Sequence, residues 1–313
     1  MALFAPIRAL LAPGEPRPEA ITQGPRVKIL DTADLPEGRH YVNDHALLRL
    51  PDGRWILTGI FHLDTVYEGR DEREFVLAAA PPSEPSEWYA SPTPFFAITP
   101  ERLALRADSD EPWIWAPHLA RADDGTFVMI YHAGTIGGDN DRATFHLARS
   151  RDGVRWAREG GTLFEDICVA RDPMLLRFGP TWVLYYTRCA AKASPASGVA
   201  YRLSADLVHW SPPAMALALP TERFDSGHTE SPFVFHRKGW FYLTVTSYPV
   251  AWDATFVYRS RTPFAFPSEP YARLSAHAAE WVAEGDDFEK GRLFFTHAGP
   301  GQGGVWMSEV FGL

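Results

Sequence analysis

Apolar and polar positions alternate along five separate segments of the chain, with the period of two that is typical of half-buried β-strands. Each segment has a polar or proline-containing entry, an alternating strand, a short turn and then an aromatic-rich strand. The turns include Asp52-Gly53, Asp124-Gly125 and Lys238-Gly239, which tolerate the positive φ of tight hairpins. The segments begin at Asp44, Ala116, Asp172, Ser231 and Glu280. The pattern therefore predicts five β-hairpins.

A second strand–turn–strand pattern, closed by an aromatic residue, follows three of these hairpins and ends at Trp156, Trp210 and Phe266. Two hairpins make a four-stranded unit, and five such units roughly 50–70 residues apart are typical of a β-propeller. A β-sandwich, or two of them, would not explain five similar units. The sequence predicts an all-β, five-bladed propeller.

We expect this propeller to span residues 38–313 as one catalytic domain, with residues 1–37 as an N-terminal segment packed on it. The stretch from Gly304 to Val310 is predicted to complete the last blade. Pairing of the N-terminal part with this blade would close the ring, but the pattern does not indicate how.

Composition and charge mainly exclude other classes of protein. The chain has 313 residues and a formal net charge of −9, and it lacks the basic stripe of a nucleic-acid-binding surface. It also lacks an apolar run long enough to span a membrane. The start lacks a basic leader, which argues against a secretion signal. Cys168 and Cys189 stand apart, and a disulfide between them is left open. We therefore expect a cytoplasmic monomer or simple homo-oligomer.

Charged residues and histidines recur where the first strand of each predicted unit begins. In a propeller these strands line the central channel, so their entries converge at one end of the axis. The entry residues are Asp44, His118, Asp172, Glu230 and Glu280. Acids at strand entries also cap turns, but three acids in register on one repeat favour a site.

Glycosidic cleavage needs two carboxyl groups in different protonation states, one to protonate the leaving oxygen and one to activate water or attack the sugar. A third carboxylate can raise the pKa of the acid by like-charge repulsion. Asp44, Asp172 and Glu230 meet this requirement. A separation of the two working carboxyls near 5 Å would favour retention, and roughly 6.5–9.5 Å inversion.

The motifs around these acids resemble the five-bladed propeller glycosidases of glycoside hydrolase families 43 and 32 over residues 40–313. Trp115-Ala116-Pro117-His118 resembles family 43, whereas Arg171-Asp172-Pro173 and Asn43-Asp44 resemble family 32. The resemblance implies that Asp44 is the general base or nucleophile. It also implies that Asp172 positions and tunes the acid, and that Glu230 is that acid.

The same resemblance implies an exo-acting glycosidase for a small furanoside or pentoside, such as an arabinofuranoside, xyloside or fructoside. His45 stands where these families carry proline after the first acid, which keeps a non-hydrolytic sugar-binding propeller as an alternative. A transferase on the same scaffold is another.

Further residues near the entries are expected to bind substrate, with Trp113 and Trp115 as a stacking platform for a sugar ring. The predicted substrate-binding residues are Asn43, His45, Trp113, Trp115, His118, Arg171, His228 and His297. No cofactor is expected to be required. The resemblance leaves open a calcium ion at the propeller axis, beside a histidine such as His297.

Overall fold

We describe a computed structural model, which places residues 21–64, 72–134, 143–166, 169–189, 196–220, 228–248 and 253–313. Within these ranges the chain is almost entirely β, in five antiparallel sheets. This confirms the predicted all-β fold of five units; four of the sheets have four strands, and the fifth has five. No helix within these ranges is long and apolar enough to cross a membrane.

The strands follow the chain blade by blade. Two strands precede the first blade: β1 (Thr22–Gln23) and β2 (Val27–Asp31). Blade 1 contains β3 (His40–Arg49), β4 (Trp55–Leu63), β5 (Glu74–Ala80), the short helix α1 (Pro85–Ala90) and β6 (Ala97–Arg106). Blade 2 contains β7 (Trp113–Arg121), β8 (Phe127–Gly134), β9 (Ala143–Ser150) and β10 (Ala157–Asp166).

The remaining blades repeat this order. Blade 3 contains β11 (Val169–Phe178), β12 (Thr181–Cys189), β13 (Ala196–Ser204) and β14 (Ala214–Pro220). Blade 4 contains β15 (His228–Arg237), β16 (Trp240–Tyr248), β17 (Ala254–Ser260) and β18 (Ala272–Ser275). Blade 5 contains β19 (Glu280–Ala283), a 3₁₀ turn (Glu284–Asp286), β20 (Leu293–Ala298) and β21 (Gly304–Phe311).

The two N-terminal strands close the ring. Both β1 and β2 pair antiparallel with β21, with Val27 opposite Met307 and Thr22 opposite Phe311. Blade 5 is therefore built from strands near both ends of the described chain. This pairing closes the ring, which the sequence pattern had not explained. The boundary predicted between residues 37 and 38 stays a prediction.

The hydrophobic core lies between neighbouring blades, where the apolar faces of their sheets meet. One cluster joins blades 1 and 2 and includes the edge-to-face pair Phe75 and Tyr131. Another joins blade 1 to blade 5 through Val42 and Phe294. Burying each such large apolar side chain contributes about 1.5–3 kcal/mol. Packing of the first blade against the last therefore holds the ring closed and fixes the inner strands around one axis.

Candidate active site

A β-bulge interrupts the innermost strand in each of blades 1 to 4, at the end where the strand begins. In blade 3, Arg171 pairs with Thr187 and Met174 with Tyr185, so two residues face one on the neighbouring strand. Equivalent shifts follow Val42, Trp115 and Glu230 in the other three blades. A bulge bends the strand and redirects its side chains, and bulges are frequent beside active sites.

The sequence supports these bulges locally. In three blades the bulged pair ends in proline: Ala116-Pro117, Asp172-Pro173 and Ser231-Pro232. Proline has no N–H group, so it loses nothing at a position that is left out of the ladder. The residue before each proline has a positive φ, 47°, 57° and 49° respectively. Such a conformation costs about 1–3 kcal/mol in a non-glycine residue and recurs at functional sites.

The bulges also correct the predicted register of the three acids. Glu230 lies immediately before its bulge, Asp172 is the first bulged residue and Asp44 is the second. The three acids therefore occupy three successive positions rather than one repeat position. They nevertheless lie close enough to share hydrogen-bond and ion-pair partners.

Ser231 and Arg171 link the three carboxylates. The Ser231 hydroxyl donates a hydrogen bond to Asp44 Oδ1, and its backbone N–H donates one to Asp172 Oδ2 at 3.0 Å. Arg171 Nη2 lies 2.8 Å from Glu230 Oε1, and its Nε lies 3.4 Å from Asp172 Oδ2. The structure thus brings together Asp44, Asp172 and Glu230 with Arg171, as the sequence predicted.

Burial raises the pKa of two of these acids. Asp172 is only 6% exposed, and burial together with the charge of Asp44 raises its pKa well above the usual value, against the opposing effect of Arg171. Burial likewise raises the pKa of Asp44; His277 and the Ser231 hydrogen bond oppose this rise, and Glu230 adds to it. Because neighbouring carboxylates resist simultaneous ionisation, one carboxyl of the group can stay protonated at a pH at which an isolated carboxyl is ionised.

Asp44, Asp172 and Ser231 line an open pocket, and His45 and Glu280 form its floor. Asp44 and Glu280 therefore face the same space. His118 follows the bulge of blade 2 and lies beside Glu280, with its Nδ1 4.0 Å from Glu280 Oε2.

The floor offers few oxygen ligands of the kind that calcium prefers. Calcium takes six to eight oxygen ligands, whereas the floor offers imidazole nitrogens and the Glu280 carboxyl. Within the described ranges, no group of three or more His, Cys, Asp or Glu side chains is arranged to hold a metal ion. Calcium at the axis and the absence of a required cofactor both stay predictions.

Three predicted binding residues are buried, and two of them, His45 and Asn43, form hydrogen bonds within the protein. His45 is 1% exposed and hydrogen-bonds to the Asn43 carbonyl oxygen and to Thr296 Oγ1, at 3.1 and 2.7 Å. The Asn43 side-chain oxygen lies 2.9 Å from His277 Nε2. His297 is 1% exposed, and burial lowers its pKa to about 3. These contacts join blade 1 to blade 5, so they position the site.

The predicted aromatic platform is partly built into blade 2. The rings of Trp113 and Trp115 are nearly parallel, with centroids 6.4 Å apart, and Trp115 also stacks on His132 at 5.1 Å. A sugar-stacking role for either indole stays a prediction. His228 belongs to β15, but its side chain lies outside the described part of the structure, as do Cys168 and the side chain of Cys189.

Glu72 is a further carboxyl near the three acids, and sequence reasoning missed it. Its Oε1 accepts a hydrogen bond from the Tyr41 hydroxyl at 2.7 Å, and the Trp115 side chain also hydrogen-bonds to it. Burial, with smaller effects from Asp44 and Glu230, raises its pKa to about 7. It does not lie at a position that recurs from blade to blade, so the repeat pattern gave no indication of it.

Two other buried acids, Glu111 and Asp166, hold the inner strands in place. Tyr131 and Tyr186, each opposite a bulge, donate hydrogen bonds to Glu111 and Asp166 at 2.6 and 2.8 Å. Each acid lies just before the inner strand of the blade that contains its tyrosine, and each also pairs with arginine, at Arg158 in the case of Glu111. This repeated arrangement anchors the strand entries.

No protein-family model and no curated protein sequence matches the chain. Solved structures do match. An α-L-arabinofuranosidase from Lactobacillus brevis has a TM-score of 0.62 and 15% identity, covering 86% of this chain and 90% of that one. A family-43 enzyme from Xanthomonas citri in complex with xylose has a TM-score of 0.63 and 14% identity, covering 91% and 89%.

A family-32 β-fructofuranosidase from Bombyx mori has a TM-score of 0.59 and 15% identity, covering 86% of this chain and 61% of that one. At such identities the likeness is one of fold. The predicted structural resemblance is therefore confirmed: the chain has the five-bladed β-propeller fold of glycoside hydrolase families 43 and 32.

Proposed function

We propose that the protein is a glycoside hydrolase that releases a terminal furanose or pentose residue. The observation that carries the proposal is the linkage of three acids from three blades, in which Ser231 joins Asp44 to Asp172 and Arg171 joins Asp172 to Glu230. Glu111 and Asp166, which anchor strands, each pair with a tyrosine and an arginine. Asp44, Asp172 and Glu230 instead share their partners, and two of them line one pocket, which favours proton transfer.

The roles follow from the chemistry that glycosidic cleavage requires. Glu230 would protonate the leaving oxygen, and Asp44 would activate water or attack the anomeric carbon. Asp172 would hold the arrangement through Ser231 and Arg171. A small carbohydrate is the proposed partner, cleaved at a chain end. Among the structural neighbours, the Xanthomonas citri enzyme was solved with xylose, which supports a pentose.

Replacement of Glu230 by glutamine tests this assignment. The variant keeps the shape of the side chain but cannot donate the proton, so we expect kcat/KM on aryl arabinofuranosides, xylosides or fructosides to fall by 10²–10⁴-fold. Glu101→Gln, at an exposed position on β6, is the matched control and should behave as the wild type. Unimpaired hydrolysis by the Glu230 variant would contradict the assignment.

A sugar-binding propeller without hydrolysis is the second candidate. The ion pair between Arg171 and Glu230 supports it, because an ion pair needs Glu230 as a carboxylate whereas a proton donor must be a carboxylic acid. Titration of the wild type with free sugars, alongside the hydrolysis assays, separates the two candidates. Binding without turnover across the panel would favour the second.

A further inference from the structure

The inner strands place five residues at one level of the ring, next to the acids: His45, His118, Met174, Phe233 and Glu280. Two of them, His45 and Glu280, form the floor of the pocket. His45 is occupied by Asn43 and Thr296. Polar groups that could face a ligand are therefore concentrated on His118 and Glu280.

His118 presents one ring nitrogen that no other described group satisfies. The residue is 7% exposed, and its Nδ1 is buried without a hydrogen-bond partner within the described ranges. The other ring nitrogen hydrogen-bonds to the backbone carbonyl of Leu175. Since a carbonyl accepts, that nitrogen carries the proton, and Nδ1 is left with a free lone pair. A buried acceptor of this kind costs free energy unless a ligand or water supplies a donor.

Glu280 lies beside this nitrogen and lines the pocket. Its Oε2 is 4.0 Å from His118 Nδ1, which is too long for a direct hydrogen bond. A hydroxyl oxygen about 2.8 Å from each atom can bridge such a gap. Burial and the charge of Asp44 raise the pKa of Glu280 well above its usual value, which favours the protonated carboxyl, a group that can both donate and accept.

We infer that Glu280 and His118 together bind a hydroxyl group of the sugar at the floor of the pocket and so select among sugars. The inference rests on the proposed function only in that the ligand is a sugar. Any ring held against Asp44 faces this floor, because Asp44 and Glu280 line the same pocket. A site built to hydrogen-bond a hydroxyl rejects an analogue that lacks it, since its buried polar groups are then left unpaired.

The test is direct binding, measured by isothermal titration calorimetry, of arabinose, xylose, fructose and their monodeoxy analogues. For the wild type we expect one deoxy analogue to bind roughly tenfold more weakly than its parent sugar. Glu280→Leu should abolish this difference, with the parent sugar binding as weakly as the analogue. His118→Phe should do the same, whereas Glu280→Gln, which still donates and accepts, should retain part of the difference.

Each outcome decides the inference. Full discrimination in Glu280→Leu and His118→Phe would overturn it, as would an equal loss of affinity for every ligand, which indicates a structural role or a bound water. Thermal unfolding identifies variants that fail to fold. Binding with the expected pattern but without hydrolysis in the wild type would remove the hydrolase and keep the inference. Failure of the wild type to bind any sugar would overturn both.

Discussion

Replacement of Ser231 by alanine removes one hydrogen bond from Asp44 and leaves the other link of Ser231 in place. The lost bond runs from the hydroxyl to Asp44 Oδ1, whereas the backbone N–H still donates to Asp172 Oδ2. A hydrogen bond donated to a carboxylate stabilises its charged form, and this one lowers the pKa of Asp44 against the effect of burial. Its loss therefore raises the pKa of Asp44 further.

The size of the effect follows from the strength of the bond. Hydrogen bonds to charged groups contribute about 1.5–3 kcal/mol, and one pKa unit corresponds to about 1.4 kcal/mol. The pKa of Asp44 should therefore rise by about one to two units in Ser231→Ala. Because a base or nucleophile must be ionised, the acidic limb of the pH dependence of kcat/KM should move to higher pH by the same amount.

The assay is hydrolysis of a chromogenic glycoside at low substrate concentration over a wide pH range. Ser109→Ala is the matched control, since it removes an exposed hydroxyl whose oxygen lies 3.5 Å from Asp110 Oδ1, away from the pocket. Its profile should coincide with that of the wild type. An acidic limb that stays in place in Ser231→Ala, or moves to lower pH, would refute the role of Asp44 as the ionised group.

Two further predictions concern stability, measured by chemical denaturation as a function of pH. Burial raises the pKa of Glu72 to about 7, so the folded state retains a proton that the unfolded state releases, and stability falls as pH rises from about 4.5 to 7. Glu72→Gln should remove this fall and be more stable than the wild type at pH 8, by up to about 3 kcal/mol; an unchanged pH dependence would contradict this. Hydrogen bonds and charge from His146, with Tyr131 and Arg158, lower the pKa of Glu111 to about 2 against the effect of burial. Its stabilisation is present above pH 4.5 and is lost as pH falls towards 2, so Glu111→Gln should lower the midpoint of thermal unfolding at pH 7 by several degrees and show little difference at pH 2.

The sequence predicted the number of blades because hairpin alternation and turn chemistry are local properties. It also predicted that Asp44, Asp172 and Glu230 meet, since strand entries converge in any propeller. It did not predict the bulges, although Ala116-Pro117, Asp172-Pro173 and Ser231-Pro232 carry them, because a bulge depends on pairing with the neighbouring strand. The three acids were therefore assigned to the same repeat position, whereas the structure places them at three successive positions.

Other features depend on tertiary contacts that no local pattern encodes. Glu72 lies outside the repeats and reaches the site through Tyr41 and Trp115. His45 and His297 looked like binding residues because they lie near the axis, but both are buried. His45 is hydrogen-bonded to Thr296, which lies 251 residues away along the chain. Proximity to the axis thus predicts a contribution to the site, not which atoms are left for a ligand.

Closure of the ring through β1, β2 and β21 has a consequence for the order in which the molecule is made. Asn43 and His277 are 234 residues apart in the chain, and His45 and Thr296 are 251 apart. Asp44, which lies between these two contacts, can take its final position only after the ribosome has released blade 5. The first four blades can fold earlier because their contacts are local, whereas this last step joins distant segments and is expected to be slow. The surroundings of Asp44 are therefore expected to be complete only when synthesis of the chain is nearly finished.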